Sequence, residues 1–137
     1  MADKSFRSPE EVRQELGVPI LGHIPVIVPD SSRRKRSIKE NSKIQQIVCT
    51  FHRPKSTTAE AYRAVRTALH FGTRGEGHKV IQITSPDPGD GKTTLVCNLA
   101  VCVAQSGKRV LLIDADFRRP RVHRVFGVDE GCGLSGV

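Results

Sequence analysis

Residues 85 to 94 read Ser-Pro-Asp-Pro-Gly-Asp-Gly-Lys-Thr-Thr. A lysine and two hydroxyls directly after a glycine-bearing turn form a set that suits a phosphate group. Gly89 and Gly91, on either side of Asp90, let the backbone bring its N–H groups towards an anion. Lys92 supplies a point charge for the outer phosphates, and the hydroxyl of Thr93, with Thr94 behind it, suits a divalent cation. That chemistry calls for a nucleoside triphosphate together with Mg²⁺. The strict phosphate-loop pattern places a glycine five residues before Gly91, and here that position is Pro86.

A second group of chemical residues follows. Asp114 and Asp116 are two apart, so on an extended backbone they share one side. Two carboxylates so placed suit Mg²⁺ through its water shell, and one of them suits orientation or removal of a hydroxyl proton. Asp114, Asp116 and Lys92 are therefore the candidate catalytic set. Thr93, Asp114 and Asp116 are the candidate metal set, and Gly89, Asp90, Gly91, Lys92, Thr93 and Thr94 the nucleotide-binding set. Arg118, Arg119, Arg121 and Arg124 come next, a basic cluster suited to phosphate, an acidic substrate or a neighbouring subunit.

The flanks predict the elements that would position these groups. Val80 to Ile83 is a short β-rich run before the loop. The apolar spacing after it predicts a helix over about 92–105, apolar on a wide arc and so covered on two sides. Ser106 and Gly107 close that helix. Arg109 to Ile113 predicts a parallel strand buried on both faces, and strand, helix, strand makes a right-handed βαβ unit. The expected fold class is α/β, a P-loop NTPase-like parallel sheet flanked by helices. Carboxyl ends of strands hold ligands in such sheets, which would bring Asp114 and Asp116 beside the phosphate loop.

Upstream, Ser8, Pro9 and Glu11 predict a capped helix ending near Leu16 and Gly17. Residues 18 to 28 predict a strand broken by Pro19 and Pro25, with His23 as a structural histidine. Residues 30 to 43 are polar, with a basic run Arg33, Arg34, Lys35, Arg36. That run fits a solvated linker or an anionic membrane surface, and without interleaved aromatics it does not fit nucleic acid. Residues 46 to 53 predict a short strand. Thr57 and Glu60 predict a capping box for a helix over about 58–71, on which Glu60, Arg63 and Arg66 share one flank.

The 137 residues carry a formal net charge of +8, which favours acidic partners. No apolar run is long enough to span a bilayer, and no signal peptide opens the chain. Cys49, Cys97, Cys102 and Cys132 lack zinc-site spacing and read as reduced thiols, Cys97 and Cys102 as small core residues.

The stretch from Ile83 to Pro120 resembles the bacterial tyrosine kinases, the cytosolic kinase domains of capsule and exopolysaccharide co-polymerases. Leu111, Leu112, Ile113, Asp114, Ala115, Asp116, Phe117 and Arg118 match that family's second motif, three apolar residues then D-x-D-x-R. Glu60, Arg63 and Arg66 match its E-x-x-R-x-x-R helix, and the lead-in Leu-Gly-Val-Pro-Ile-Leu-Gly-His-Ile-Pro is similar to its membrane-proximal segment. The resemblance implies ATP-dependent protein-tyrosine (auto)phosphorylation at the inner face of the cell membrane. It also implies a homo-oligomer through Glu60, Arg63 and Arg66, and a membrane co-polymerase segment on the same or a separate chain. Domain organisation is then 1–50 as lead-in and basic linker and 51–137 as the first part of the kinase domain. The family's Walker B strand and tyrosine tail have no match up to Val137, so a front fragment is expected. Two other readings remain: a partitioning or division-site ATPase, against which Asp87 stands where that class has lysine, and a nucleotide-sensing module without chemistry.

Overall fold

The computed structural model describes residues 8–26, 42–72, 80–129, 131 and 133, and among them five helices form. They are α1 (Pro9–Leu16), α2 (Cys49–His52), α3 (Thr57–Gly72), α4 (Lys92–Gln105) and α5 (Val122–Phe126). The basic run at 33–36 and Cys132 lie outside the described residues.

Three helices form where local chemistry predicts them. For α1, Ser8 Oγ accepts the Glu11 N–H at 3.2 Å, Pro9 takes the first turn, and Gly17 closes the helix at φ 63°. For α3 the cap shifts by one residue: Ser56, not Thr57, accepts from the Ala59 N–H at 3.1 Å. Glu60 is released from the predicted box and pairs with Arg63 instead. The α4 boundaries agree with the predicted span, and Gly107 follows at φ 82°.

Two short helices depart from expectation. Residues 46 to 53 form α2 rather than a strand, because distant groups override a β-rich sequence. Asn98, on α4, accepts the Thr50 N–H and the Thr50 hydroxyl, each at 3.0 Å, and the Cys49 thiol at 3.3 Å. Its amide group donates to Ile47 and Thr94 carbonyls, each at 2.9 Å. One fully buried amide thus pins α2 to α4 with every bonding position used. The other departure, α5, was not anticipated at all. Its Val125 carbonyl accepts the Gln45 N–H at 2.8 Å, and Gly127 (φ 61°) closes it against Lys43 so tightly that a Cβ would lie 2.4 Å from that residue's Cβ.

The core lies on both sides of α4, as its wide apolar arc predicts. Val48, Cys97 and Val125 form one cluster, and Cys49, Tyr62 and Cys102 the other. Arg66 ties α3 to the end of α4 by donating to the Cys102 carbonyl at 2.9 Å. Residues 18 to 26 form no strand; they lie against α3, where a Cβ on Gly22 would come within 2.8 Å of Val65 Cγ2.

The predicted strands at 80–83 and 109–113 carry no ladder among the described residues. Leu112 packs into the core while Leu111 is 84% exposed. Alternation of that kind covers one face only, where burial on two faces was expected. Without a neighbouring strand there is no ladder to define.

Candidate functional site

The turn before α4 is closed on itself. Gly89 and Gly91 sit at φ 98° and 92°, a left-handed conformation that favours glycine. An added Cβ at either would meet nothing within 4 Å, so backbone conformation, not crowding, demands glycine there. Asp90 Oδ2 accepts the Asp87 N–H at 3.0 Å and shapes the turn. Lys92 donates to Ser85 Oγ at 2.7 Å and to the Asp87 carbonyl at 3.2 Å. Ser85 in turn donates to that same carbonyl at 2.9 Å. The lysine is thus held by neutral oxygens at the mouth of the loop, contacts that an anionic phosphate outcompetes.

The N-terminus of α4 stays open. Gly91 is its N-cap with no side-chain hydrogen bond, and no acidic residue stands in its first turn. The unpaired N–H groups and the positive end of the helix dipole therefore meet whatever occupies the loop. Thr93 and Thr94 lie in that first turn, half-buried.

Both acidic residues are present beyond the 109–113 run, and both are engaged by backbone. Asp114 Oδ2 accepts the N–H groups of Arg121 at 2.8 Å and Val122 at 3.0 Å, and its Oδ1 accepts that of Asp116 at 3.2 Å. Asp114 therefore starts α5 from eight residues upstream. Asp116 Oδ1 accepts from Arg118 at 3.2 Å and Arg119 at 3.0 Å. Burial pushes the Asp114 carboxyl up, but the Val122, Arg121 and Asp116 N–H groups and the His123 charge together hold it below its ordinary value.

A carboxylate has about four acceptor positions. Asp114 keeps one on Oδ1, and Asp116 keeps its Oδ2. The pair retains room for a cation or a hydroxyl proton, so the residues fit Mg²⁺. No hydrogen bond or ion pair joins the acidic pair to the Ser85–Lys92 turn among the described residues. Both border α4, the turn at its N-terminus and Asp114 beside a cavity of about 750 Å³ that Ala100, Val101 and Ala104 also line. Cys97, fully buried on α4, feels the Asp114 charge: burial first and that carboxylate second push its thiol up to about 11.

Glu60, Arg63 and Arg66 are found on α3 with internal partners. Arg63 donates to Glu60 and to the Pro54 carbonyl, and Arg66 to the Cys102 carbonyl. Of the residues that shape the site, Ser85 and the amides of Arg121 and Val122 escaped sequence reasoning. Ser85 is seven positions from Lys92, and Arg121 and Val122 are seven and eight from Asp114, and no motif spacing signals these pairs.

Residues 81–131 match the CobQ/CobB/MinD/ParA nucleotide binding domain family. The chain is similar to tyrosine-protein kinase YwqD of Bacillus subtilis, 46% identical over 96 residues that make up 70% of this chain and 40% of YwqD. It is 32% identical to tyrosine-protein kinase wzc of Salmonella typhimurium over 139 residues, 98% of this chain and 19% of that one. Among solved structures, the BceF tyrosine kinase domain superposes with a TM-score of 0.71 at 36% identity, covering 86% of this chain and 48% of that one. The fold is thus P-loop NTPase-like and the domain of a nucleotide-binding class. The chain spans well under two thirds of the length of each of these relatives.

Proposed function

We propose that the chain, similar to bacterial tyrosine-protein kinases over most of its length, supplies the nucleotide-binding part of an ATP-dependent protein-tyrosine kinase. The observation that carries the reading is the closed turn before α4, where Lys92 is parked on Ser85 and the Asp87 carbonyl beside an uncapped helix N-terminus.

In this mechanism Gly89, Asp90 and Gly91 give the turn its shape, and the N–H groups of residues 89 to 94 surround the phosphates. Lys92 leaves Ser85 and neutralises the outer phosphate charge. Thr93 and the free oxygens of Asp114 and Asp116 would hold Mg²⁺, and a cation there would supply stabilisation of developing phosphate charge. The lowered pKa keeps Asp114 ionised at neutral pH. As a carboxylate it accepts the hydrogen bond of the incoming hydroxyl, orients it, and receives its proton as the new oxygen–phosphorus bond forms and the bond to the leaving diphosphate breaks.

The acceptor is a tyrosine outside this chain's core. Tyr62 is the one tyrosine of the sequence and is 2% exposed, so it is out of reach. By resemblance to the family, the setting is capsule or exopolysaccharide synthesis at the cytoplasmic face of the membrane, with Arg33, Arg34, Lys35 and Arg36 against anionic lipid and a co-polymerase segment as partner. No helix among the described residues is long and apolar enough to cross a membrane. Assembly through Glu60, Arg63 and Arg66 stays part of the proposal. A guanidinium has five N–H donors, so one or two internal bonds leave each arginine able to meet a second subunit.

Titration with ATP and Mg²⁺ tests the reading. Wild-type protein is expected to bind and Lys92→Ala to lose binding by at least about tenfold, the scale of one charge-assisted contact at ~1.4 kcal/mol or more. Equal affinity in the two proteins would remove Lys92, and with it the nucleotide site, from the turn.

A further inference from the structure

The turn that follows the acidic pair has a use that phosphoryl transfer alone does not give it. Asp114 and Asp116 hold four backbone N–H groups of the turn and of the first residue of α5, those of Arg118, Arg119, Arg121 and Val122. Backbone, not guanidinium, satisfies these carboxylates. Arg118, Arg119 and Arg121 are exposed, and their side chains make no hydrogen bond or ion pair among the described residues. Phe117 stands beside them 70% exposed. The result is a turn fixed in shape, further stiffened by Pro120, with three unpartnered cations and one aromatic ring presented outward.

We propose that Phe117, Arg118, Arg119 and Arg121 form a docking surface for an acidic, tyrosine-bearing peptide segment. The inference rests on the kinase reading above and names what that site would accept. Guanidinium groups pair with carboxylates through two parallel N–H bonds, which gives direction as well as charge. The ring of Phe117 provides an apolar face for the acceptor's aromatic side chain. Chain geometry sets the pattern: arginines two, three and five residues beyond Asp116 lie within about 7–17 Å of it along the chain. Acidic side chains would then flank the tyrosine by a few positions. Charge complementarity favours a peptide with separated charges over polyphosphate: it can set a neutral phenol beside Asp114 and Asp116 and its carboxylates on the arginines, which an unbroken phosphate backbone cannot do. Tyr62 being buried, the segment comes from outside these residues.

The test is fluorescence anisotropy on this chain with a labelled peptide of one tyrosine between glutamates, and with the same peptide carrying glutamines instead. The glutamate peptide is expected to bind, and R118Q, R119Q and R121Q together to weaken it by about tenfold or more, with F117A giving a smaller loss. Circular dichroism and binding of a fluorescent ATP analogue verify that each variant is folded. Unchanged affinity in the triple variant, or equal binding of the glutamine peptide, overturns the proposal. So does tighter, arginine-dependent binding of single-stranded oligonucleotide or of phosphatidylserine vesicles, which would make the surface a phosphate site. Loss of the ATP analogue from wild-type protein alongside arginine-dependent peptide binding would instead sink the kinase reading and leave the surface standing.

Discussion

On one flank of α4, Asn98 is fully buried and uses both ends of its amide to bind Cys49, Thr50, Ile47 and Thr94. On the other, Leu112 packs inward while Val110, Leu111 and Ile113 stand exposed along the same run. Both flanks are apolar in sequence. The first is closed because helices satisfy their own backbone and only need side-chain contacts to join. The second is open because a strand satisfies its backbone only through neighbours. The same hydrophobicity therefore produces a finished seam in one place and an unpaired face in the other.

Removing Asn98 is the largest test of the closed flank. Asn98→Ala strands the Thr50 N–H and the Ile47 carbonyl in the core and leaves the Thr50 hydroxyl only its longer bond to the residue-98 carbonyl, and a loss of about 3–5 kcal/mol is expected. Urea unfolding followed by helical circular dichroism measures it. A loss below about 1 kcal/mol would mean that α2 is held by packing alone.

Alkaline pH tests the core on both sides of α4 more gently. Burial raises the thiols of Cys49 and Cys102, and burial with the Asp114 charge raises Cys97 from 9.0 to about 11. In the unfolded chain thiols ionise first, so the folded state binds more protons between these values. Stability is fully present below pH 9 and falls as pH rises through about 11, by at most ~1.4 kcal/mol per pH unit for each thiol. The Cys97→Ala variant should show a shallower decline in thermal midpoint between those pH values. An identical slope would mean that Cys97 titrates as if exposed.

How much of this was legible in the sequence depended on whether partners were local. Ser8, Gly17 and Gly107 lie within a few residues of the groups they cap, and α1 and α4 follow from them, as does the glycine-bearing turn. Helix α2 was unreadable because its acceptor, Asn98, is nearly fifty positions away. Helix α5 begins on Asp114, a residue read first for its chemistry and not for capping. The runs at 80–83 and 109–113 were legible as apolar runs, but a ladder depends on which strand lies alongside, and one strand's sequence does not say.

The smallest expected effect belongs to the open flank. Leu111→Ser should change the stability of this chain by less than about 0.5 kcal/mol, since an exposed side chain has little burial to lose. Thermal unfolding decides it. A loss above about 2 kcal/mol would show that Leu111 is covered in solution and that the two flanks are alike.

Tyr62 gives the closed flank an optical signature. The sequence has no tryptophan and a single tyrosine, so near-ultraviolet absorption and emission come almost wholly from one ring between α3 and α4. Burial first, then the neighbouring thiols, push its phenol up to about 12. The phenolate band should therefore emerge late in an alkaline titration and jump forward the moment the seam opens. A spectrophotometer, without any label, then reads whether α3 and α4 are together.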